Sequence, residues 1–416
     1  MTESASVFVE LGGAPVRAGM AFFHVARRRV TTTFSYATDY LRRTDAYAID
    51  PRLPLIAGPA SVEGLPGAFQ DCSPDRWGRT LVEKQFRREA QERGQARRDL
   101  SDVDFLLGVS DETRQGALRF TRGESSEFVA AHVRVPPVLS LPRVQRAADR
   151  AVAGDGRAIQ ELLEAGTGSL GGARPKAAVT GDDGRLLLAK FTRPAEDRPV
   201  IEWEQVALRL AGDAGIPVPR SRLIRIESRP VLLLDRFDRA ERGARIGYMS
   251  AMTAAERRDG EYSDYLDVVS AIEEHSADWR ADAAQMFRRV VFSAAIHNTD
   301  DHLRNHGFLR TDAGWRLSPV FDVNPDPDPD SDRQTAVMGA TGGNDEAEAV
   351  VQFAEYCGLA PHRAAEVIME VDRAVARWAD TAREVGLAEP DIREAADGLE
   401  IPRRRLRAAL EAAAGS

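Results

Sequence analysis

Residues 283–328 read AAQMFRRVVFSAAIHNTDDHLRNHGFLRTDAGWRLSPVFDVNPDPD. Phe287, Val290, Val291, Ala294 and Ala295 recur at helical spacing. The segment therefore predicts a helix that buries one face and delivers His297-Asn298-Thr299-Asp300 to a loop. Two apolar strands, 306–310 and 315–321, follow around an Asp-Ala-Gly turn, and Asp322 closes the second. Phosphoryl transfer to a hydroxyl needs a carboxylate to orient the nucleophile, plus an Asn and a further Asp to hold magnesium against the phosphates. Asp300, Asn305 and Asp322 supply that set in order.

Upstream lie a glycine-rich turn (166–172), the strands ARPKAAVT and RLLLAKF joined by GDDG, and a strand lysine, Lys190. Glycines let backbone N–H groups approach an anion, and a strand lysine adds a point charge. The loop GTGSLGGARPK matches neither G-x-x-x-x-G-K-[ST] nor G-x-G-x-x-G, so on its own an ordinary hairpin turn accounts for it equally well. Next comes the helix IEWEQVALRLAGDAG, ended by Gly215, and then the strands SRLIRI and PVLLLDRF. Glycine-rich loop, strand lysine, Glu-bearing helix and two strands is the order of a kinase small lobe. Glu204, on the face of Leu208, is the candidate partner of the lysine; Glu202 is the other, and solvent exposure is the plain alternative for both. The run 231–234 would enter a hinge that meets adenine. The step from Asp300 to Asn305 is that of H-R-D-x-x-x-x-N, although D-F-G is replaced by Asp322-Val323-Asn324.

The 416 residues, 43% hydrophobic, suffice for two or three domain cores. No run approaches the ~20 apolar residues of a membrane span, and the N-terminus lacks a basic stretch leading into an apolar one. A cytoplasmic protein with no membrane contact is expected. Cys72 and Cys357 are far apart, which suggests neither a disulfide framework nor a zinc site but two buried thiols. A net charge of −9 argues against broad attraction to nucleic acid phosphates. Residues 1–125 read as an α+β region, with strands in VFVELGG, MAFFHV and TTFSYATDYL and a helix start at Ser73-Pro74-Asp75. The Pro-rich stretch 120–145 places a boundary near 140 and gives three parts, 1–140, 141–240 and 241–416. The stretch NPDPDPDSD reads as a loop. The basic residues Arg403, Arg404, Arg405 and Arg407 read as a solvated helix face, with DNA or partner contact as the alternative.

The pair N-T-D-D-H-L-R-N and W-R-L-S-P-V-F-D-V resembles the HipA kinase pattern of Asp-x-His-x-Lys/Arg-Asn and Ser-Pro-x-Tyr/Phe-Asp. SLGGARPKAAV is similar to that family's phosphate loop, LLLDRFDR to its hinge, and GAFQDCSPDRWGR to the N-terminal part of its long members. The resemblance runs from about residue 35 to 325. It implies an α+β, two-lobed protein-kinase-like (HipA) fold with an extra N-terminal α+β subdomain and a helical C-terminal lobe. The implied activity is that of an ATP- and magnesium-dependent serine/threonine protein kinase, the toxin of a toxin–antitoxin pair. Carried over residue by residue, Asp300 is the catalytic base, Asn305 and Asp322 hold Mg2+, and His302 and Arg304 support the loop. ATP would meet Ser169, Leu170, Gly171, Gly172, Lys176, Lys190, Leu234, Asp235 and Phe237. Ser169 would be the autophosphorylated residue whose modification ejects the loop. The implied partners are a HipB-like helix-turn-helix antitoxin, DNA only through it, and a protein substrate such as an aminoacyl-tRNA synthetase. Asp235 departs from the Glu usual in the hinge.

Three other readings compete. His297, Asp300, Asp301, His302 and His306 could form the transition-metal cluster of a hydrolase, which would leave the phosphate-loop features unexplained. A small-molecule phosphotransferase of the aminoglycoside or choline kinase type shares the Asp-to-Asn step but carries His-Gly before the Asp. A non-catalytic co-repressor module would have no use for Lys190, Asp300, Asn305 and Asp322 together.

Overall fold

Period-two burial builds the first sheet. In the computed structural model, β1 (Thr2–Leu11), β2 (Ala14–Ala26), β3 (Arg29–Tyr36), β4 (Pro59–Glu63) and β5 (Leu118–Arg122) pair antiparallel in the order β4-β3-β2-β1-β5. Along β3, Val30, Thr32, Phe34 and Tyr36 turn inward. Phe34 packs edge-to-face on Phe69, and Phe69 on Phe120, with centroids 6.3 and 5.1 Å apart. The third strand ends at Tyr36, earlier than its sequence suggests, because Thr38–Leu41 forms a helical turn. The structure describes residues 2–26, 29–94, 96, 98–129, 135–165, 174–193, 196–240 and 242–415.

A second sheet holds β6 (Lys176–Thr180), β7 (Leu186–Phe191), β8 (Ser221–Ile226) and β9 (Arg229–Asp235) in the order β6-β7-β9-β8. Its core joins Ala177, Val179, Leu187, Ala189 and Val231 to the helices Leu141–Val152 and Gly156–Glu164. Trp77 and Leu81, from the helix Arg76–Glu92, bury in the same core. As the sequence suggests, Asp75 starts that helix, its carboxylate accepting from Gly78 N at 2.6 Å.

Packing groups the residues differently from the three parts read in the sequence. The chain falls into two units, one of residues 1–195 and 224–249, the other of 196–223 and 250–416. No cut falls at 140, because the helix Arg76–Glu92 serves the second sheet and because residues 111–116 are tied to the segment after β9. There the buried Asp238 carboxylate accepts from Arg236 at 2.7 and 2.6 Å, from Arg239 at 2.8 Å and from Gly116 N at 2.8 Å. Burial pushes this carboxyl up, but the two guanidiniums outweigh it and hold the group well below the usual carboxylate range. Arg239 also donates to Arg114 O at 2.7 Å. The helix Val200–Asp213, placed in the middle part by sequence, belongs to the second unit, where Trp203 lies 6.3 Å from Trp378.

The second unit is mainly helical. The helix Trp279–Ala295 buries Phe287, Val290, Val291, Ala294 and Ala295, as its spacing predicts. The hairpin Gly307–Thr311 and Gly314–Leu317 follows. Its second strand stops at Leu317 rather than running to Phe321, because Pro319 has no N–H to donate to a ladder. Asp322 therefore stands in an irregular loop. Cys72 and Cys357 are buried free thiols.

Candidate active site

The helix Trp279–Ala295 gives way to His297, whose φ of 54° turns the chain through the left-handed region. Such a conformation costs a non-glycine residue on the order of 1 kcal/mol and persists where surroundings impose it. Here His297 O accepts from Asp326 N at 2.9 Å, and His297 Nε2 lies 2.8 Å from Asp328 O. Thr299 Oγ1 donates to Asp326 at 2.9 Å, and Asn324 N reaches Asn298 Oδ1 at 3.5 Å. Residues 297–299 and 324–328 are thereby laced together. Asp322, two positions before the first lace, is itself left-handed with φ 58°.

Within this frame Asp300 is exposed, and Gln334 Nε2 donates to its carboxylate at 2.6 Å. Asn305 is buried; its Nδ2 donates to Asp300 O at 3.0 Å, which turns the amide oxygen the other way. The His302 backbone N–H also donates to Asp300 O, at 3.1 Å. His302 thus braces the loop through its main chain. Arg304 forks onto the exposed Asp259 at 3.0 and 2.9 Å.

Beneath the loop lies a buried network. Asp301 Oδ2 accepts from Tyr265 Oη at 2.5 Å and Ser293 Oγ at 2.8 Å, and Asp301 Oδ1 sits 2.9 Å from His306 Nε2. Burial alone would raise this carboxyl, yet His306, Arg333 and Tyr265 together hold it well below the usual range. Burial raises the Tyr265 hydroxyl well above its ordinary value, so it stays a donor. Arg333 donates to Ser293 Oγ at 2.7 Å, pairs with Glu346 at 2.9 Å and stacks 5.3 Å from the Tyr265 ring centroid. Asp301 follows the exposed Asp300, and His306 follows Asn305. Their contact closes the five-residue step between the two. The sequence offers Asp301 and His306 only as members of the alternative metal cluster, and it does not mark Tyr265, Arg333 or Gln334. Among the described residues no group of three or more His, Cys, Asp or Glu side chains is arranged to hold a metal ion. The five-residue metal cluster weighed from sequence is thus not assembled: His306 faces Asp301, and Asp300 faces Gln334.

In the first unit, Lys190 is buried on β7, directly opposite Lys176 on β6. Lys176 is ion-paired with Asp75 at 3.0 Å, the two side chains 2% and 5% exposed. Leu234 is buried, Asp235 lies 3.5 Å from Arg185, and Phe237 packs 6.4 Å from Tyr248. In the second unit Glu202 and Glu204 are both buried, which removes the exposed alternative. Ser169, Leu170, Gly171 and Gly172 lie outside the described residues. The arginines of the final helix are largely engaged within the second unit: Arg403 with Asp372 at 3.0 Å and Arg405 with Pro329 O at 3.1 Å.

The architecture defines a mixed helix-and-sheet class with a lysine-bearing sheet in one unit and an Asp-x-x-x-x-Asn loop in the other. The HipA-like C-terminal domain model matches residues 168–378, and the HipA N-terminal domain model matches residues 18–121. The chain belongs to the HipA family. It is similar to toxin YjjJ of Escherichia coli K12, 24% identical over 280 residues, which cover 63% of this chain and 60% of that protein. A Haemophilus influenzae protein named as a kinase is 24% identical over 153 residues, 32% of this chain and 45% of its own length. The alignments thus span less than two thirds of these curated relatives. A chain from the solved complex of Shewanella oneidensis MR-1 HipA, HipB and operator DNA superposes with a TM-score of 0.65 at 15% identity, over 97% of this chain and 96% of that one. That likeness establishes the HipA fold. No described helix is long and apolar enough to cross a membrane.

Proposed function

We propose that the protein is an ATP- and Mg2+-dependent serine/threonine protein kinase, the toxin of a HipBA-type pair in the cytoplasm. The observation that carries this reading is the tied loop: an exposed Asp300 oriented by Gln334, and a buried Asn305 whose amide nitrogen is held by Asp300 O. Asp300 would accept the proton of the attacking hydroxyl as its oxygen bonds to the γ-phosphorus and the bond to the departing ADP oxygen breaks. Asn305 and Asp322 suit Mg2+, which prefers hard oxygen donors: the Asn305 amide is fixed through its nitrogen, and Asp322 is set on a constrained turn. When bound, the ion would neutralise phosphate charge. Lys190 would serve the phosphates, with Lys176 beside it, and Leu234, Asp235 and Phe237 the adenine. Ser169 is proposed as the autophosphorylation site. The Shewanella complex supports a HipB-like antitoxin as partner, with DNA contacted through it. A protein of the translation machinery, such as an aminoacyl-tRNA synthetase, is the proposed substrate.

The test is incubation of the protein with ATP, Mg2+ and a lysate fraction of translation factors, followed by phosphopeptide mapping. Phosphoserine or phosphothreonine on a lysate protein, together with label at Ser169, is expected. Label on small molecules alone overturns the protein-kinase reading; self-label confined to other residues overturns the role of Ser169.

A further inference from the structure

The N-terminal motif Ser73-Pro74-Asp75 has no part in the mechanism above, yet its acid reaches a lysine of the second sheet, Lys176. Lys176 and Lys190 are direct partners across β6 and β7, so their side chains share a face with Cβ atoms about 5 Å apart. Like charges so placed repel, and both lysines are buried, where water screens little. Asp75 answers the charge of Lys176: its Oδ2 lies 3.0 Å from Lys176 Nζ while its Oδ1 caps the helix Arg76–Glu92 through Gly78 N. Capping alone does not call for a carboxylate, since Asn or Ser caps as well. Nor does a buried ion pair add net stability over apolar residues of equal size. The acid is also rigidly held, because Trp77 and Leu81 on the same helix share a core with Ala177, Val179 and Ala189.

We propose that Asp75 is a positioning residue for the nucleotide phosphates: through its ion pair it holds Lys176 beside Lys190, so that the two lysines face the phosphates in one fixed register. The inference rests on the kinase reading above. It makes the helix Arg76–Glu92, which the sequence assigns to a separate N-terminal domain, part of the nucleotide-binding apparatus.

The test is a double-mutant cycle in the full-length protein with Asp75→Asn, Lys176→Met and the pair combined. KM and kcat for Mg-ATP are read in autophosphorylation, Mg-ATP affinity by calorimetry, and unfolding by heat. Asn keeps the helix cap and removes only the charge. In the wild-type background Asp75→Asn raises KM and the calorimetric Kd about 10-fold and leaves kcat within about 2-fold. In the Lys176→Met background the same change moves KM by less than about 2-fold, because its effect passes through Lys176. An unchanged KM in the wild-type background, or an equal rise in both, overturns the proposal. If Asp75→Asn folds poorly, Asp75→Ser, which also caps the helix without a charge, takes its place in the same cycle with the same outcomes. Wild-type protein that neither binds nor uses Mg-ATP overturns the kinase reading, and this inference with it.

Discussion

Replacing Asp301 by Asn removes the unit negative charge from the network under the Asp300–Asn305 loop and changes almost nothing in volume. The wild-type carboxylate receives Tyr265 and Ser293 on Oδ2 and faces His306 on Oδ1. An Asn can keep its carbonyl oxygen toward the two hydroxyls and turn its NH2 to His306, which accepts only if its ring is neutral. Hydrogen bonds are thus partly recovered, while the buried Arg333 loses one of its two nearby anions and keeps only Glu346. Breaking such a pair costs about 3–5 kcal/mol, and for a unit of about 200 residues that lowers the unfolding midpoint by roughly 6–20 °C. The pH dependence follows from the depressed carboxyl of Asp301. A group whose folded pKa lies below its unfolded value, about 3.9 for Asp, contributes stability that is fully present above that unfolded value. It is lost as pH falls toward the folded pKa. The gap between wild type and Asp301→Asn is therefore constant from about pH 5 upward and narrows below about pH 4. Denaturant unfolding at a series of pH values measures it. A variant within about 1 kcal/mol of wild type at pH 7 refutes the reasoning, as does a gap that widens in acid.

Asp238→Asn strips the shared anion from Arg236, Arg239 and Gly116 N in the first unit. A loss of about 3–5 kcal/mol in denaturant unfolding is expected, and a loss under about 1 kcal/mol would show the hub to be dispensable. Arg304→Ala, by contrast, removes a pair whose Asp259 side chain is 70% exposed. Its cost should stay below about 1 kcal/mol; a larger change in the unfolding midpoint would assign Arg304 a structural role that its geometry does not show.

Much of this molecule was legible where pattern is local. Apolar spacing from Phe287 to Ala295 places the helix and its buried face, and the Asp-Ala-Gly turn places the hairpin. What escaped is non-local. Adjacent Asp300 and Asp301 look alike in sequence, but only the contacts of Tyr265 and Ser293 decide that the second is buried. Gln334 and Arg333 lie in an Asp- and Pro-rich stretch without periodicity, so nothing marks them as neighbours of the loop. The tie between residues on either side of 140 escaped for the same reason: Asp238 bonds Gly116 across 122 positions, and turn-forming composition carries no record of that.

The most direct measurement is incorporation of phosphate from γ-labelled ATP with Mg2+ by wild type and Asp300→Ala. Because Asp300 is exposed, the variant should keep its unfolding midpoint within about 3 °C. It should lose transfer by a factor of about 10² to 10⁴, as expected on removing a positioned base. Undiminished labelling in the folded variant, or none in the wild type, would contradict the assignment.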